Sequence, residues 1–181
     1  MPVNLPNIIT IFRILLVPLT VWLLIEGRPG LAFIAFLTAG ISDGVDGYIA
    51  RRWNLRTALG AWLDPLADKL LLISIYVTLG VIDHLPVWLV ILVVSRDVLI
   101  VGGVVLAWLM ERPMKMQPLF ISKANTAAQI GFAGLFLLFE AFDWPLDMVL
   151  WAGAPVVAVL TIASGALYMR DWMRHMAENG Q

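Results

Sequence analysis

The sequence predicts an all-α integral membrane protein, a bundle of six transmembrane helices with both termini in the cytoplasm. Of its 181 residues, 61% are hydrophobic and only 14% are charged, and the mean hydropathy is +0.88. Soluble domains carry about 25% charged residues, so the composition excludes an ordinary soluble domain. The same excess of apolar side chains, including 8 Trp and 8 Phe, excludes a disordered chain.

Six segments of the sequence are long and apolar enough to be these helices, since crossing a bilayer takes roughly 20 mostly apolar residues. Proline, glycine or charged residues cluster between them, as expected of loops. None of the loops is long enough to be a linker, so residues 1–181 are predicted to form one membrane domain. The spans cover approximately residues 8–25, 31–50, 59–82, 86–110, 121–142 and 147–169.

The basic residues predict the orientation of the bundle. One side, which holds both termini and the even-numbered loops, carries eight of the 12 Lys and Arg residues, and the other side carries only Arg28. Cytoplasmic loops are enriched in Lys and Arg, so both termini are predicted to be cytoplasmic. Arg13, Lys69 and Arg96 fall inside spans, where a charge needs a specific reason to be present.

Net charge and cysteine content exclude further classes. The net charge of −1 gives no indication of nucleic acid as a partner. The absence of cysteine excludes disulfides, thiolate metal sites and cysteine nucleophiles.

Four aspartates stand where the second and third spans approach the same loop. Asp43 and Asp46 are three residues apart, and Asp64 and Asp68 are four apart, so each pair shares one helix face. The loop between the helices is short and basic, which predicts that they are antiparallel neighbours. The four carboxylates are therefore expected to converge near the cytoplasmic end of the bundle.

Bound cations are the physical reason for such a cluster. One ionised group near the membrane centre costs at least about 2.5–3.5 kcal/mol, and four carboxylates also repel each other. Oxygen ligands select hard ions such as Mg²⁺, Mn²⁺ or Ca²⁺, and two divalent ions would balance the four charges. Gly44, Gly47 and Gly60 leave room beside the acids. The alternative is that each aspartate is a helix cap or an interfacial charge.

These residues resemble the signature of the CDP-alcohol phosphotransferase family. That signature reads Asp, two residues, Asp-Gly, two residues, Ala-Arg, about eight residues, Gly, three residues, Asp, three residues, Asp. Every position matches, and six spans is the architecture that the resemblance implies. The matching residues are Asp43, Asp46, Gly47, Ala50, Arg51, Gly60, Asp64 and Asp68.

The resemblance implies a reaction and its residues. An acceptor hydroxyl attacks the phosphorus distal to the cytidine of a CDP-activated lipid, and CMP leaves. All four aspartates are expected to hold two metal ions, Mg²⁺ or else Mn²⁺ or Ca²⁺, with Asp68 also acting as general base. The CDP site is expected to include Gly47, Ala50, Arg51 and Gly60. The resemblance also favours a homodimer. The expected location is a bacterial inner membrane, with the active site on the Lys- and Arg-rich side that faces the cytoplasm.

Two later stretches resemble the cardiolipin synthases of eukaryotic and actinobacterial type. These are Ser95-Arg96-Asp97 and residues 120–129, FISKANTAAQ. Such enzymes join CDP-diacylglycerol to phosphatidylglycerol. Phosphatidylglycerophosphate synthase, with a glycerol 3-phosphate acceptor, is the alternative. The residues expected to bind the acceptor are Arg96, Lys123, Arg112 and Asn125.

Several of these assignments have structural alternatives. Arg96 would pair with Asp97 or another carboxylate, and Lys123 would extend to the interface. Asn7, Thr10 and Arg13 either contact the nucleotide or serve as capping and packing groups. Small residues such as Gly102 and Gly103 form a dimer face or let helices of one chain pack closely. A non-enzymatic membrane protein that binds or conducts divalent cations is the second functional class.

Overall fold

The computed structural model contains six α-helices and no strand in the residues it describes, 5–52, 58–109 and 120–178. Side-chain surroundings are described in these ranges except at 5–8, 46–52, 58–66, 68, 104, 105, 107, 108 and 178. The all-α prediction is confirmed. The helices are α1 Leu5–Ile25, α2 Pro29–Arg52, α3 Ala58–Val81, α4 Val87–Leu109, α5 Phe120–Ala141 and α6 Asp147–Glu178.

The described helices differ in how well they meet the length and hydropathy expected of a membrane span. One stretch, Asp147–Ala177 of α6, is long and apolar enough to cross a membrane, whereas shorter apolar stretches cover Ile9–Ile25, Pro29–Val45 and Lys69–Val81. The prediction of six spans and of cytoplasmic termini therefore stays a prediction.

Three helices end with the same pattern of backbone hydrogen bonds. After α1, the amide of Gly27 donates to Leu24 O and that of Arg28 donates to Leu23 O, with Gly27 at φ 65°. This is the Schellman arrangement, in which a left-handed residue satisfies the last carbonyls of the helix. The same pattern follows α3 and α5, where the left-handed residues are Asp83 at φ 61° and Asp143 at φ 51°.

The chain divides into two compact units, Met1–Leu85 with Ala133–Leu146, and Pro86–Phe132 with Asp147–Gln181. In the first unit, α1 packs against both α2 and α3. Small side chains of α2 at helical spacing are buried there, which lets the helices approach closely. These side chains are Ala32, Ala35 and Ala39.

In the second unit, α4 packs against α6, and Gly103 of α4 lies against Tyr168 of α6. A Cβ atom on Gly103 would lie 3.0 Å from Cε1 of Tyr168 and closer still to its hydroxyl oxygen. That hydroxyl donates a hydrogen bond to Ile100 O at 3.1 Å, and Trp172 Nε1 donates to Gly103 O at 3.1 Å. Gly103 thus lets two helices of one chain pack closely. This is the second of the two alternatives given above for the small residues.

Gly103→Ala is expected to lower the unfolding temperature, because the new methyl group must displace Tyr168 from its hydrogen bond. The matched control is Gly102→Ala, where a Cβ meets nothing within 4 Å and where alanine favours the helix by about 1 kcal/mol. Thermal unfolding in detergent compares the two. An unfolding temperature that falls equally in both variants would contradict the packing role of Gly103.

Candidate functional site

Asp43 is the predicted metal ligand whose side chain the structure describes. It lies on α2 and its Oδ1 atom is 2.8 Å from Nη1 of Arg13 on α1. The Arg13 side chain is 1% exposed and that of Asp43 is 44% exposed. A Cβ added at the neighbouring Gly44 would meet no atom of the described residues within 4 Å, so position 44 itself has room.

The rest of the aspartate motif lies on the predicted helices. Asp46, Gly47, Ala50 and Arg51 follow Asp43 within α2, whereas Gly60, Asp64 and Asp68 lie within α3. The helical backbone gives each aspartate pair the spacing that places it on one face. The side chains of these seven residues lie outside the described part, so the convergence of the four carboxylates stays a prediction.

The chemistry of the Asp43 side chain fits a hard divalent cation. It offers carboxylate oxygen, the ligand type that Mg²⁺ and Ca²⁺ prefer, and it is half-exposed. Among the described side chains, no group of three or more His, Asp or Glu residues is placed to hold a metal ion. A metal site would therefore need the carboxylates of Asp46, Asp64 and Asp68.

Three residues near the start of α1 were predicted either to contact the nucleotide or to serve as capping and packing groups. Thr10 and Arg13 are three residues apart and both buried, at 1% and 0% exposure, as the packing alternative expects. The side chain of Asn7 lies outside the described part. Nucleotide contact by these residues stays a prediction.

Arg96 is the centre of a polar cluster in the second unit. Its Nη1 atom is 2.6 Å from Asp97 Oδ1, and Nε and Nη2 donate to Ser164 Oγ on α6 at 3.2 and 2.7 Å. Nη2 also donates to Ser122 Oγ on α5. Arg96 and Asp97 are both buried. The internal pair with Asp97 that the structural alternative expects is therefore present.

A second group of buried polar side chains lies on α5 and α6. Thr161 Oγ1 donates to Asn125 Oδ1 at 2.9 Å, and Gln129 Nε2 donates to Thr161 Oγ1 at 3.3 Å. All three residues are at most 1% exposed, and Asn125 Nδ2 has no hydrogen-bond partner among the described residues. Of the other predicted acceptor residues, Lys123 is exposed and Arg112 lies outside the described residues.

Sequence reasoning missed Ser122, Thr161 and Ser164 as members of these clusters. A usable signal was present. Ser122, Asn125 and Gln129 follow each other at intervals of three and four residues, and Thr161 and Ser164 are three apart. Polar residues at helical spacing inside an apolar segment indicate a face turned toward other helices.

Comparison with known proteins gives concordant matches. The pattern of the CDP-alcohol phosphatidyltransferase family matches residues 3–165. The chain is 35% identical over 186 residues to a human cardiolipin synthase (CMP-forming), covering 92% of this chain and 61% of that protein. A Streptomyces coelicolor cardiolipin synthase (CMP-forming) is 32% identical over 177 residues, covering 92% and 81%.

Another relative, whose name specifies a different acceptor, has the same sequence identity to this chain as the human protein. The CDP-diacylglycerol–glycerol-3-phosphate 3-phosphatidyltransferase of Bacillus subtilis is 35% identical over 191 residues, covering 93% of this chain and 95% of that protein.

Proposed function

Because this chain belongs to the CDP-alcohol phosphatidyltransferase family of membrane-embedded transferases, we propose that it is a cardiolipin synthase. It would transfer a phosphatidyl group from CDP-diacylglycerol to phosphatidylglycerol and release CMP. The observation that carries the proposal is the complete aspartate motif on α2 and α3. The choice of phosphatidylglycerol as acceptor is supported by Ser95-Arg96-Asp97 and residues 120–129, and by the similarity to cardiolipin synthases.

The proposed arrangement is one domain over residues 1–181 with six spans, both termini in the cytoplasm, and the active site facing the cytoplasm of a bacterium. The concentration of Lys and Arg on one side supports it. The resemblance to the family favours a homodimer.

The chemistry assigns roles to residues of this chain. Asp43, Asp46, Asp64 and Asp68 would hold two divalent ions, Mg²⁺ or else Mn²⁺ or Ca²⁺. Once bound, such ions neutralise the pyrophosphate and the leaving CMP oxygen. Gly47, Ala50, Arg51 and Gly60 would line the CDP site and hold the donor in position.

Asp68 would take the proton from the acceptor hydroxyl as its oxygen attacks the phosphorus distal to cytidine. The bond from that phosphorus to the bridging oxygen breaks, and CMP leaves with this oxygen. An aspartate with its ordinary pKa of about 3.9 is a weak base for an alcohol. The proton transfer therefore depends on the acceptor hydroxyl being made more acidic.

The experiment is an acceptor screen on the purified protein with CDP-diacylglycerol and Mg²⁺. We expect CMP release with phosphatidylglycerol, and cardiolipin as the lipid product. CMP release with glycerol 3-phosphate alone would replace the proposal with phosphatidylglycerophosphate synthase, the reaction named for the Bacillus relative. Metal-dependent current in bilayers without any CMP release would instead support the ion-conducting alternative.

Arg96→Ala is expected to raise the apparent KM for phosphatidylglycerol more than that for CDP-diacylglycerol. The acceptor carries a phosphodiester next to its attacking hydroxyl, and we propose that Arg96 binds it with Lys123, Arg112 and Asn125. Arg170→Ala is the matched control, because Arg170 also pairs with the following aspartate but is exposed. Equal changes in both KM values would remove Arg96 from the acceptor site.

A further inference from the structure

The ion pair between Arg13 and Asp43 is unequal in its exposure to solvent. The guanidinium of Arg13 is almost wholly buried, at 1% exposure, whereas the Asp43 side chain is 44% exposed. At 2.8 Å the contact is a short charge-assisted one. The arginine is thus fixed between helices, and the carboxylate keeps an open side toward which a ligand can approach.

Arg96 and Asp97 provide a contrast within the same protein. In that pair the side chains are 5% and 4% exposed, so the arginine and its acid are buried together. Arg13 instead meets a carboxylate that stays accessible.

The negative charge of Asp43 can therefore interact with two cations, the Arg13 guanidinium and a divalent metal ion. A buried arginine is stabilised by a neighbouring carboxylate, and the same carboxylate is the proposed ligand of a divalent ion. A positive charge in contact with the ligand repels an arriving cation. The repulsion decreases when negative charge, such as a diphosphate, binds nearby.

We propose that Arg13 is the internal counter-ion of Asp43, holding this carboxylate in place in the metal-free protein and lowering its affinity for a divalent cation. Arg13 is then a positioning residue that acts through Asp43. The inference rests on the proposed function, in which Asp43 is a metal ligand. Its consequence is that the cation binds weakly alone and more tightly when a CDP-containing donor is present.

The experiment measures thermal unfolding of the full chain in detergent, in EDTA and in saturating Mg²⁺, and the Kd for Mn²⁺ by electron paramagnetic resonance without lipid substrate. Arg13→Met is expected to lower the unfolding temperature in EDTA more than in Mg²⁺. It should also tighten Mn²⁺ binding by about tenfold, the scale of a 1.4 kcal/mol electrostatic change. Arg13→Lys, which keeps the charge, should restore the Kd toward the wild-type value.

Two further variants make the result decisive. Arg13→Gln keeps a hydrogen-bond donor without the charge, so it reports the same change in Kd if Arg13→Met does not fold. Arg170→Met removes an exposed arginine that also pairs with an aspartate, and it is expected to leave the unfolding temperature in both buffers and the Mn²⁺ Kd near their wild-type values.

The inference would be overturned if the Arg13 variants lost as much unfolding temperature in Mg²⁺ as in EDTA and their Mn²⁺ Kd stayed unchanged. Arg13 would then be a structural residue. Asp43→Asn separates this failure from failure of the proposed site. If Asp43→Asn binds Mn²⁺ as the wild type does, Asp43 is not a ligand and the proposed metal site itself is wrong.

Discussion

Asp68→Asn is expected to abolish CMP release while binding of CDP-diacylglycerol remains detectable. The amide cannot accept the proton of the acceptor hydroxyl, and general base catalysis contributes about 10²–10⁴-fold to a rate. Loss of one proposed metal ligand adds to the decrease. Three carboxylates of the motif remain to support donor binding, so the turnover number should fall far more than the donor affinity.

Two measurements test this expectation: CMP release under saturating substrates, and equilibrium binding of CDP-diacylglycerol to the same preparation. Asp147→Asn is the control, since Asp147 is an exposed acid in the first turn of α6 and is outside the proposed site. Turnover within tenfold of the wild type in Asp68→Asn would remove Asp68 as general base.

Asp43→Asn and Asp64→Asn are both expected to weaken binding of the metal ion and of the donor, because each removes one charge from the proposed cluster. Asp43→Asn should also destabilise the metal-free protein. Asp43 is in contact with the buried guanidinium of Arg13, and a buried donor that loses such a partner costs about 1–3 kcal/mol, or more when it is charged. The unfolding temperature in EDTA should therefore fall more in Asp43→Asn than in the exposed control Asp147→Asn.

Thermal unfolding in EDTA and isothermal titration with Mg²⁺ compare the two variants, and Asp147→Asn again provides the baseline. An unchanged Mg²⁺ affinity in both variants would contradict their assignment as ligands. An unfolding temperature of Asp43→Asn in EDTA equal to that of Asp147→Asn would instead contradict the stabilising role of the pair that Asp43 forms with Arg13.

The sequence predicted the helices well because their signals are local. Runs of apolar residues and the breaks between them placed all six helices within a few residues, except at the end of α6, which continues to Glu178 rather than ending near residue 169. The charged and polar residues after 169 ended the predicted span, but they did not end the helix. Hydropathy reports where a membrane segment ends, and a helix can extend beyond it.

The faces of the helices could not be predicted in the same way. Leu15 is 63% exposed and the adjacent Leu16 only 6%, yet both are leucines in an apolar segment. Lipid and protein interior are equally apolar, so hydrophobic periodicity does not distinguish the two sides. The partners of Arg96 on α5 and α6 depend on helix rotation and could not be predicted either.

The left-handed backbone conformation that follows α1, α3 and α5 could be predicted from the sequence only where the residue is a glycine. Gly27 is a residue type that favours the left-handed region, and it ends α1 there. Asp83 and Asp143 adopt the same conformation without such a mark. Their charge indicated a loop, but not the Schellman arrangement that closes α3 and α5.

The most direct test of the account is a crystal structure of the protein with Mn²⁺ and a CDP-containing donor, with the ions located by anomalous diffraction. The account predicts two peaks about 3.5–4 Å apart, held by carboxylate oxygens of Asp43, Asp46, Asp64 and Asp68. Aspartate side chains that point to different faces of α2 and α3, with no ion shared between the two helices, would contradict it.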